Sequence, residues 1–255
     1  KFKNIQGLKV MDYCDKLDFI EDVKNGKWNH APIEVIFHEG ACSDTMEYNG
    51  KYMMENNFQY TKLDALCHGP QDPIPLCFFG VNLWQRPEGF REEPACEEAL
   101  NVYAFSKLFF DNYARRYFDK AESQIAGFRY FNVYGPQENH KGKMASMVRQ
   151  MFLQWQKDHE VKLFGEYDGY GQVNNEDFIY VKDVVKVLFY FWQHPELKGV
   201  YNLGTGKAHT FNDMAKAVLD FFGSGKLVYV PFRRSSREIP SYTQADTTKL
   251  IQTGY

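Results

Sequence analysis

With 255 residues, 44% of them hydrophobic and 17% aromatic, the chain can bury a substantial core, which excludes a disordered polymer. A formal net charge of -3 leaves no basic footprint for nucleic acid, and no apolar run is long enough to span a bilayer. Five cysteines without a Cys-x-x-Cys pair read as reduced thiols, so the expectation is a cytoplasmic globular protein with neither a signal peptide nor a metal site.

Residues 15–23 have helical apolar spacing with Asp15 placed to cap them. Residues 33–37 read as a strand that runs into His38-Glu39-Gly40-Ala41-Cys42-Ser43, a small-residue turn of the kind that lets a ligand approach the backbone. A helix over 48–66 carries Asn56-Asn57 in its middle. A buried strand at 75–79 and a long loop rich in Pro, Glu and Gly at 80–100 follow. The next helix starts near Tyr103 and reaches about residue 117. A strand over 124–131 then runs into Asn132-Val133-Tyr134-Gly135-Pro136. Strands alternating with helices predict a parallel sheet with right-handed crossovers.

The second half begins with an amphipathic helix over 144–157 and a short strand at 161–165. Residues 166–175 are polar and rich in Gly and Tyr, and read as a loop. Residues 177–184 turn from strand to helix, which continues towards 194. Tyr201-Asn202-Leu203-Gly204-Thr205-Gly206 ends a strand at a glycine turn. Thr210 caps a helix over 211–222, with Asp213 in its first turn. Residues 226–232 form the last expected strand.

Chemistry concentrates at Tyr103 and Lys107, four apart on one helical face. An ammonium beside a phenol favours the phenolate, so the pair can pass a proton to and from a sugar hydroxyl near neutral pH. Taken alone, a surface Tyr–Lys helix pair explains the spacing equally well.

The order of His-Glu-Gly-Ala-Cys-Ser, Tyr-x-x-x-Lys, Arg129-Tyr130-Phe131-Asn132-Val133-Tyr134-Gly135-Pro136, Asp177-Phe178-Ile179-Tyr180-Val181 and Tyr201-to-Gly206 resembles the extended short-chain dehydrogenases acting on nucleotide sugars. Gly50-Lys51-Tyr52-Met53-Met54-Glu55-Asn56-Asn57, Gln137-Glu138-Asn139-His140-Lys141-Gly142 and Thr243-Gln244-Ala245-Asp246 narrow the likeness to the ADP-heptose 6-epimerases. The resemblance implies an α/β fold: a Rossmann-like, doubly wound parallel sheet over 1–136, joined by the strand and helix near 178–206, and a smaller α/β substrate domain over 137–255. It implies NADP as cofactor and an ADP-sugar as substrate. C6″ of the heptose is transiently oxidised to a ketone and the hydride returns to the opposite face, in lipopolysaccharide core precursor synthesis. It also implies a homo-oligomer.

Residue by residue, Tyr103 matches one acid–base, Lys107 the group that tunes it, and Lys141 the second acid–base. In the last role a lysine requires burial or a nearby cation to shed its proton; the plain alternative is a solvated loop lysine. Lys1, Lys16, Glu39, Gly40, Ala41, Cys42, Ser43, Asn56, Lys107, Val133 and Lys141 match cofactor-contacting positions. Asn132, Lys143, Gln150, Phe164, Gly165 and Glu166 match substrate-contacting positions, with a strand-end turn as the alternative role of Asn132.

The sequence departs from that family in three respects. It has no Gly-x-x-Gly-x-x-Gly to bind a pyrophosphate, and the expectation is a chain recorded without its first βαβ unit. Gly80-Val81-Asn82 stands where the family has a hydroxyl that helps the reacting oxygen. Glu176 stands where an arginine pairs with substrate phosphate, and a carboxylate there repels a pyrophosphate. Two other readings therefore stay open: another nucleotide-sugar epimerase or dehydratase of this fold, and a catalytically impaired sugar-nucleotide-binding relative.

Overall fold

The computed structural model describes residues 2–29, 31–65, 76–78, 89–165, 174–231 and 242–255. They form two compact units: Lys1–Tyr130 with Lys186–Asn202 and Lys249–Tyr255, and Phe131–Val185 with Leu203–Thr248. Among the described residues the strands in chain order are β1 (Ile36–Phe37), β2 (Leu76–Phe78), β3 (Ile125–Tyr130), β4 (Asn132–Tyr134), β5 (Glu160–Phe164), β6 (Asn175–Tyr180), β7 (Gly199–Leu203), β8 (Ala208–Thr210) and β9 (Lys226–Val230). The helices used below are α1 (Lys16–Lys24), α2 (Gly50–Met53), α3 (Tyr60–Ala65), α4 (Val102–Ala114), α5 (Met147–Asp158), α6 (Val181–Gln193) and α7 (Phe211–Phe222).

The first unit is built on a four-stranded sheet in the order β1-β2-β3-β7, with β1–β2 and β2–β3 parallel. Parallel neighbours need crossovers, and the helices between them supply these, as the alternation in sequence requires. Helix α4 starts where the Asn101 side chain accepts a bond from Ala104 N at 2.8 Å, satisfying one of the free donors of a helix start. On the other side of β3, Phe128 and Phe191 are fully buried and meet edge to face at 4.8 Å.

In the second unit β4, β6 and β8 form one sheet, and β5 pairs with β9 in another. Of the strand and helix expected near 178–206 to join the first domain, Lys186–Asn202 falls in the first unit and β7 in its sheet, while β6 pairs in parallel with β4 and antiparallel with β8. The segment after β3 that reads as a strand-end turn is itself the strand β4. Helices α5 and α7 pack on Val161 and Leu163 of β5 through Met151, Phe211, Met214 and Ala215. Thr210 and Asp213 close a reciprocal capping box at the start of α7, and Gly223, at φ 63°, ends it in the left-handed region. No helix among the described residues is long and apolar enough to cross a membrane.

One buried carboxylate fixes the glycine turn that follows β7. Asp177 accepts from Thr205 N (2.8 Å), Thr205 Oγ1 (2.6 Å), Gly206 N (2.8 Å) and Ala245 N (3.1 Å). Gly204 fits beneath it because a Cβ there would lie 2.7 Å from both Asp177 Oδ2 and Ala245 Cβ. Replacing Asp177 with Ala leaves three backbone donors without their acceptor, so D177A is expected to lose roughly 3 kcal/mol of stability in urea unfolding. A loss under ~1 kcal/mol would contradict this account of the turn.

Candidate active site

In the first unit the site is organised by an interruption in a helix. Between α2 and α3 the chain passes through a π-helical stretch, Met54–Gln59, a geometry common at functional positions because it re-aims side chains. It places Asn57, 1% exposed, against the turn after β1. Asn57 Oδ1 accepts from Cys42 N (2.8 Å), and its amide donates to Cys42 O (3.0 Å) and Ser106 Oγ (3.0 Å). Ser106 Oγ in turn donates to Tyr103 O at 2.7 Å. A single asparagine thus ties the Glu39–Cys42 turn to the helix that bears Tyr103 and Lys107. Behind it, the Thr61 hydroxyl donates to Asn57 O and lies 3.0 Å from His38 Nε2.

The turn opens onto a cavity of about 530 Å³ lined by Lys16, His38, Glu39, Gly40, Cys42 and Asn56, among others. Lys16 Nζ donates to Asn56 Oδ1 at 3.0 Å. A Cβ added at Gly40 would meet nothing within 4 Å, so the turn's backbone is open to a ligand. An ammonium, an amide and free backbone groups suit a dinucleotide's phosphates and ribose hydroxyls. These residues fit part of such a cofactor. The glycine turn that would take the pyrophosphate is not in this sequence.

Electrostatics here differ from the sequence expectation. Tyr103 is pushed up to about 12, by burial first and the Cys42 thiol second, so packing outweighs any lowering by Lys107. Lys107, 4% exposed, is pulled down to about 8 by burial, against the opposing charges of Asp111, Glu39 and Cys42. Glu39 keeps contact with solvent through the cavity mouth, yet the protein around it raises its carboxyl to about 7. A hydrogen bond from Tyr130 Oη (3.1 Å) and the Lys107 charge work the other way. The site therefore holds a phenol, an ammonium near its midpoint and a half-protonated carboxylic acid.

The remaining matched residues lie elsewhere. Lys1 and Glu166 lie outside the described residues, as do the loop at 166–173 and Gly80-Val81-Asn82. Ser43 is exposed at the end of the turn. Asn132, Val133, Lys141, Lys143, Gln150, Phe164 and Gly165 belong to the second unit, so Tyr103 and Lys141, the residues matched to acid–base positions, are carried by different units. Asn132 Nδ2 donates to Asp177 O (3.2 Å), a bond that ties β4 to β6 in place of the strand-end turn expected there. Val133 pairs with Ile179. Gln150 Nε2 donates to Gly142 O at 3.0 Å, bracing the loop of Lys141 and Lys143. Phe164 is 47% exposed at the end of β5, and Gly165 follows at φ 80°.

Lys141 is not buried, and among the described residues its ion pair is with a carboxylate rather than beside a cation. Its side chain is 42% exposed, and its ionic partner is the Glu138 carboxylate at 3.7 Å. Glu138, buried, accepts from Gly135 N, Ser146 N and Ser146 Oγ, and so closes the loop at both ends. Glu176 is raised to about 7 by burial.

Several of these residues escape a sequence reading. Asn57 and Glu138 stand in the sequence only as members of the runs that carry the resemblance, with no role attached. Ser106 and Asp111 give no signal, because their work is done by contacts across loops and helices.

Against known proteins, residues 28–204 match the NAD dependent epimerase/dehydratase family. The chain is similar to the solved ADP-L-glycero-D-manno-heptose-6-epimerase of Helicobacter pylori, at 27% identity and a TM-score of 0.82 over 98% of this chain and 75% of that one. Thermus thermophilus UDP-glucose 4-epimerase, solved with NAD, matches at 22% identity and 0.70 over 94% and 76%. RMD from Pseudomonas aeruginosa, solved with NADPH, matches at 18% identity and 0.72 over 96% and 82%. The last two share the fold.

The depressed Lys107 has a measurable signature. Its folded value, about 8, lies below the ordinary lysine value of 10.5, so the unfolded chain holds more protons between those values and stability rises with pH across that window. Tyr103 would act in the opposite direction only above pH 10. From pH 8 to 10, wild-type unfolding free energy is expected to rise relative to Lys107→Met by at least ~1 kcal/mol. Parallel pH curves for the two proteins would refute it.

Proposed function

The chain belongs to the NAD-dependent epimerase/dehydratase family, and from that premise we propose that it inverts C6″ of an ADP-heptose, using NADP. The reading takes residues 1–136 as the dinucleotide domain and 137–255 as mainly the substrate domain. The observation that carries it is Lys107, buried near its midpoint one helical turn from Tyr103 and facing the Glu39–Cys42 turn. Bound nicotinamide would supply removal and return of a hydride.

Tyr103 is the group that takes and returns the hydroxyl proton. Because burial holds the phenol high, the phenolate needs a positive charge beside it to form, and the Lys107 ammonium is placed to provide it. Lys141 serves the opposite face of the carbon, and Lys16, Glu39 to Ser43, Asn56, Lys107 and Val133 hold the cofactor. Lys143, Gln150 and 164–166 meet the substrate. The family's hydroxyl after residue 79 is replaced by Gly80, so turnover is expected to be slow. A homo-oligomer in the cytoplasm, serving lipopolysaccharide core precursor synthesis, completes the proposal. The stacked pair Phe105 and Phe109, 50% and 44% exposed on α4, supports a partner subunit.

A second reading, another nucleotide-sugar epimerase or dehydratase, is favoured by Glu176. A buried carboxylic acid suits a hydroxyl-bearing group better than a phosphate.

Incubating the protein with NADP and either C6″ epimer of ADP-glycero-manno-heptose, followed by proton NMR, should give both epimers. Tyr103→Phe should slow this by roughly 100-fold or more while leaving NADPH binding intact. Turnover of a UDP-hexose but not of the heptose would transfer support to the second reading.

A further inference from the structure

Helix α4 carries a third ionisable residue on the face of Tyr103 and Lys107. Tyr103, Lys107 and Asp111 follow at intervals of four, so their side chains form one stripe. Lys107 and Asp111 are 4% and 3% exposed. Asp111 Oδ2 accepts from Arg129 Nε (3.1 Å) and Nη2 (2.8 Å). Arg129, itself 1% exposed, donates to Glu97 Oε1 at 2.5 Å, and Glu97 Oε2 accepts from Arg115 Nη1 at 2.7 Å. Charges alternate from Lys107 through the core to the partly exposed Arg115. Any one of them buried alone would be costly.

We propose that Asp111 is a positioning residue for Lys107: fixed by Arg129, it keeps the buried ammonium charged and directed along the α4 face. The groups facing Lys107 are Tyr103 and Asp111 on its own helix, with Glu39 and Cys42 on the turn; Arg129 of β3 stands behind Asp111. Among the anionic groups Asp111 acts most strongly, ahead of Glu39 and Cys42. Glu39 lies exposed on the turn, whereas Asp111 is buried and held by two bonds from Arg129. Burial raises the Asp111 carboxyl although Arg129 pulls the other way, and two bonds from that guanidinium fix its place. The importance of this for hydride chemistry rests on the proposed function; the effect on Lys107 does not.

The test is an NMR titration of protein labelled at lysine Cε, with Lys107 assigned through Lys107→Met. Wild type should titrate near 8. Asp111→Asn should move that midpoint down by about one pH unit, and Asp111→Glu should return it towards wild type. Should D111N fail to fold with Arg129 left unpaired, the double variant D111L/R129M removes both charges and should show the same downward move. An unchanged midpoint in a folded variant overturns the proposal. NADPH binding and epimerisation are read separately on the same samples. A shifted midpoint without either supports the role of Asp111 and sinks the proposed function, whereas both activities with an unshifted midpoint sink the role of Asp111 alone.

Discussion

The hydrogen bonds of Asn57 are the constraint on which the rest of the first unit depends. A side-chain amide can satisfy one residue's backbone N–H and C=O together, as a strand neighbour would, and Asn57 does this for Cys42. Its remaining donor reaches Ser106, inside the helix that carries Tyr103 and Lys107. The turn after β1 therefore has a fixed place relative to the acid–base helix, at a depth where an unmade bond is expensive. The π-helical stretch is what allows this, since it turns Asn57 inward while α2 and α3 continue on either side.

Once the turn and α4 are joined, the electrostatics follow from burial. Lys107 loses solvation, Tyr103 becomes a weaker acid, and the Glu39 carboxylate becomes a stronger base. None of the three values is set by one neighbour. The cavity at the Glu39–Cys42 turn has a mixed lining, Phe19, Ile36 and Phe37 beside Lys16 and Asn56, which are already bonded to each other. The second unit is organised differently: Glu138 closes the loop of Lys141, and Asp177 closes the glycine turn after β7. Both are buried carboxylates satisfied by backbone donors, a way of fixing loops without regular structure.

Much of this fold was legible because local signals agreed. Asp15 and Thr210 cap helices as read, and the alternation of strand and helix specified the parallel sheet. The resemblance drawn from the motifs points the same way as the similarity to the H. pylori epimerase. What the sequence concealed depends on tertiary contact. Asn132-Val133-Tyr134 reads as a turn but pairs with β6, because the partner strand lies some 45 residues on. The rise of Tyr103 rather than its fall comes from packing that no spacing rule reports. Lys141 matched a motif, yet its surroundings are solvent and a carboxylate rather than a dry or cationic pocket.

The central claim is that the Asn57 junction builds the cradle for a nicotinamide dinucleotide. Titration calorimetry of NADPH into wild type and Asn57→Ala tests it most directly, with circular dichroism confirming that the variant is folded. The account predicts a one-site isotherm for wild type and affinity weakened by at least ~10-fold in the variant, the equivalent of one buried hydrogen-bonding group lost. Absence of binding by wild type, or equal affinity in the two proteins, would contradict it.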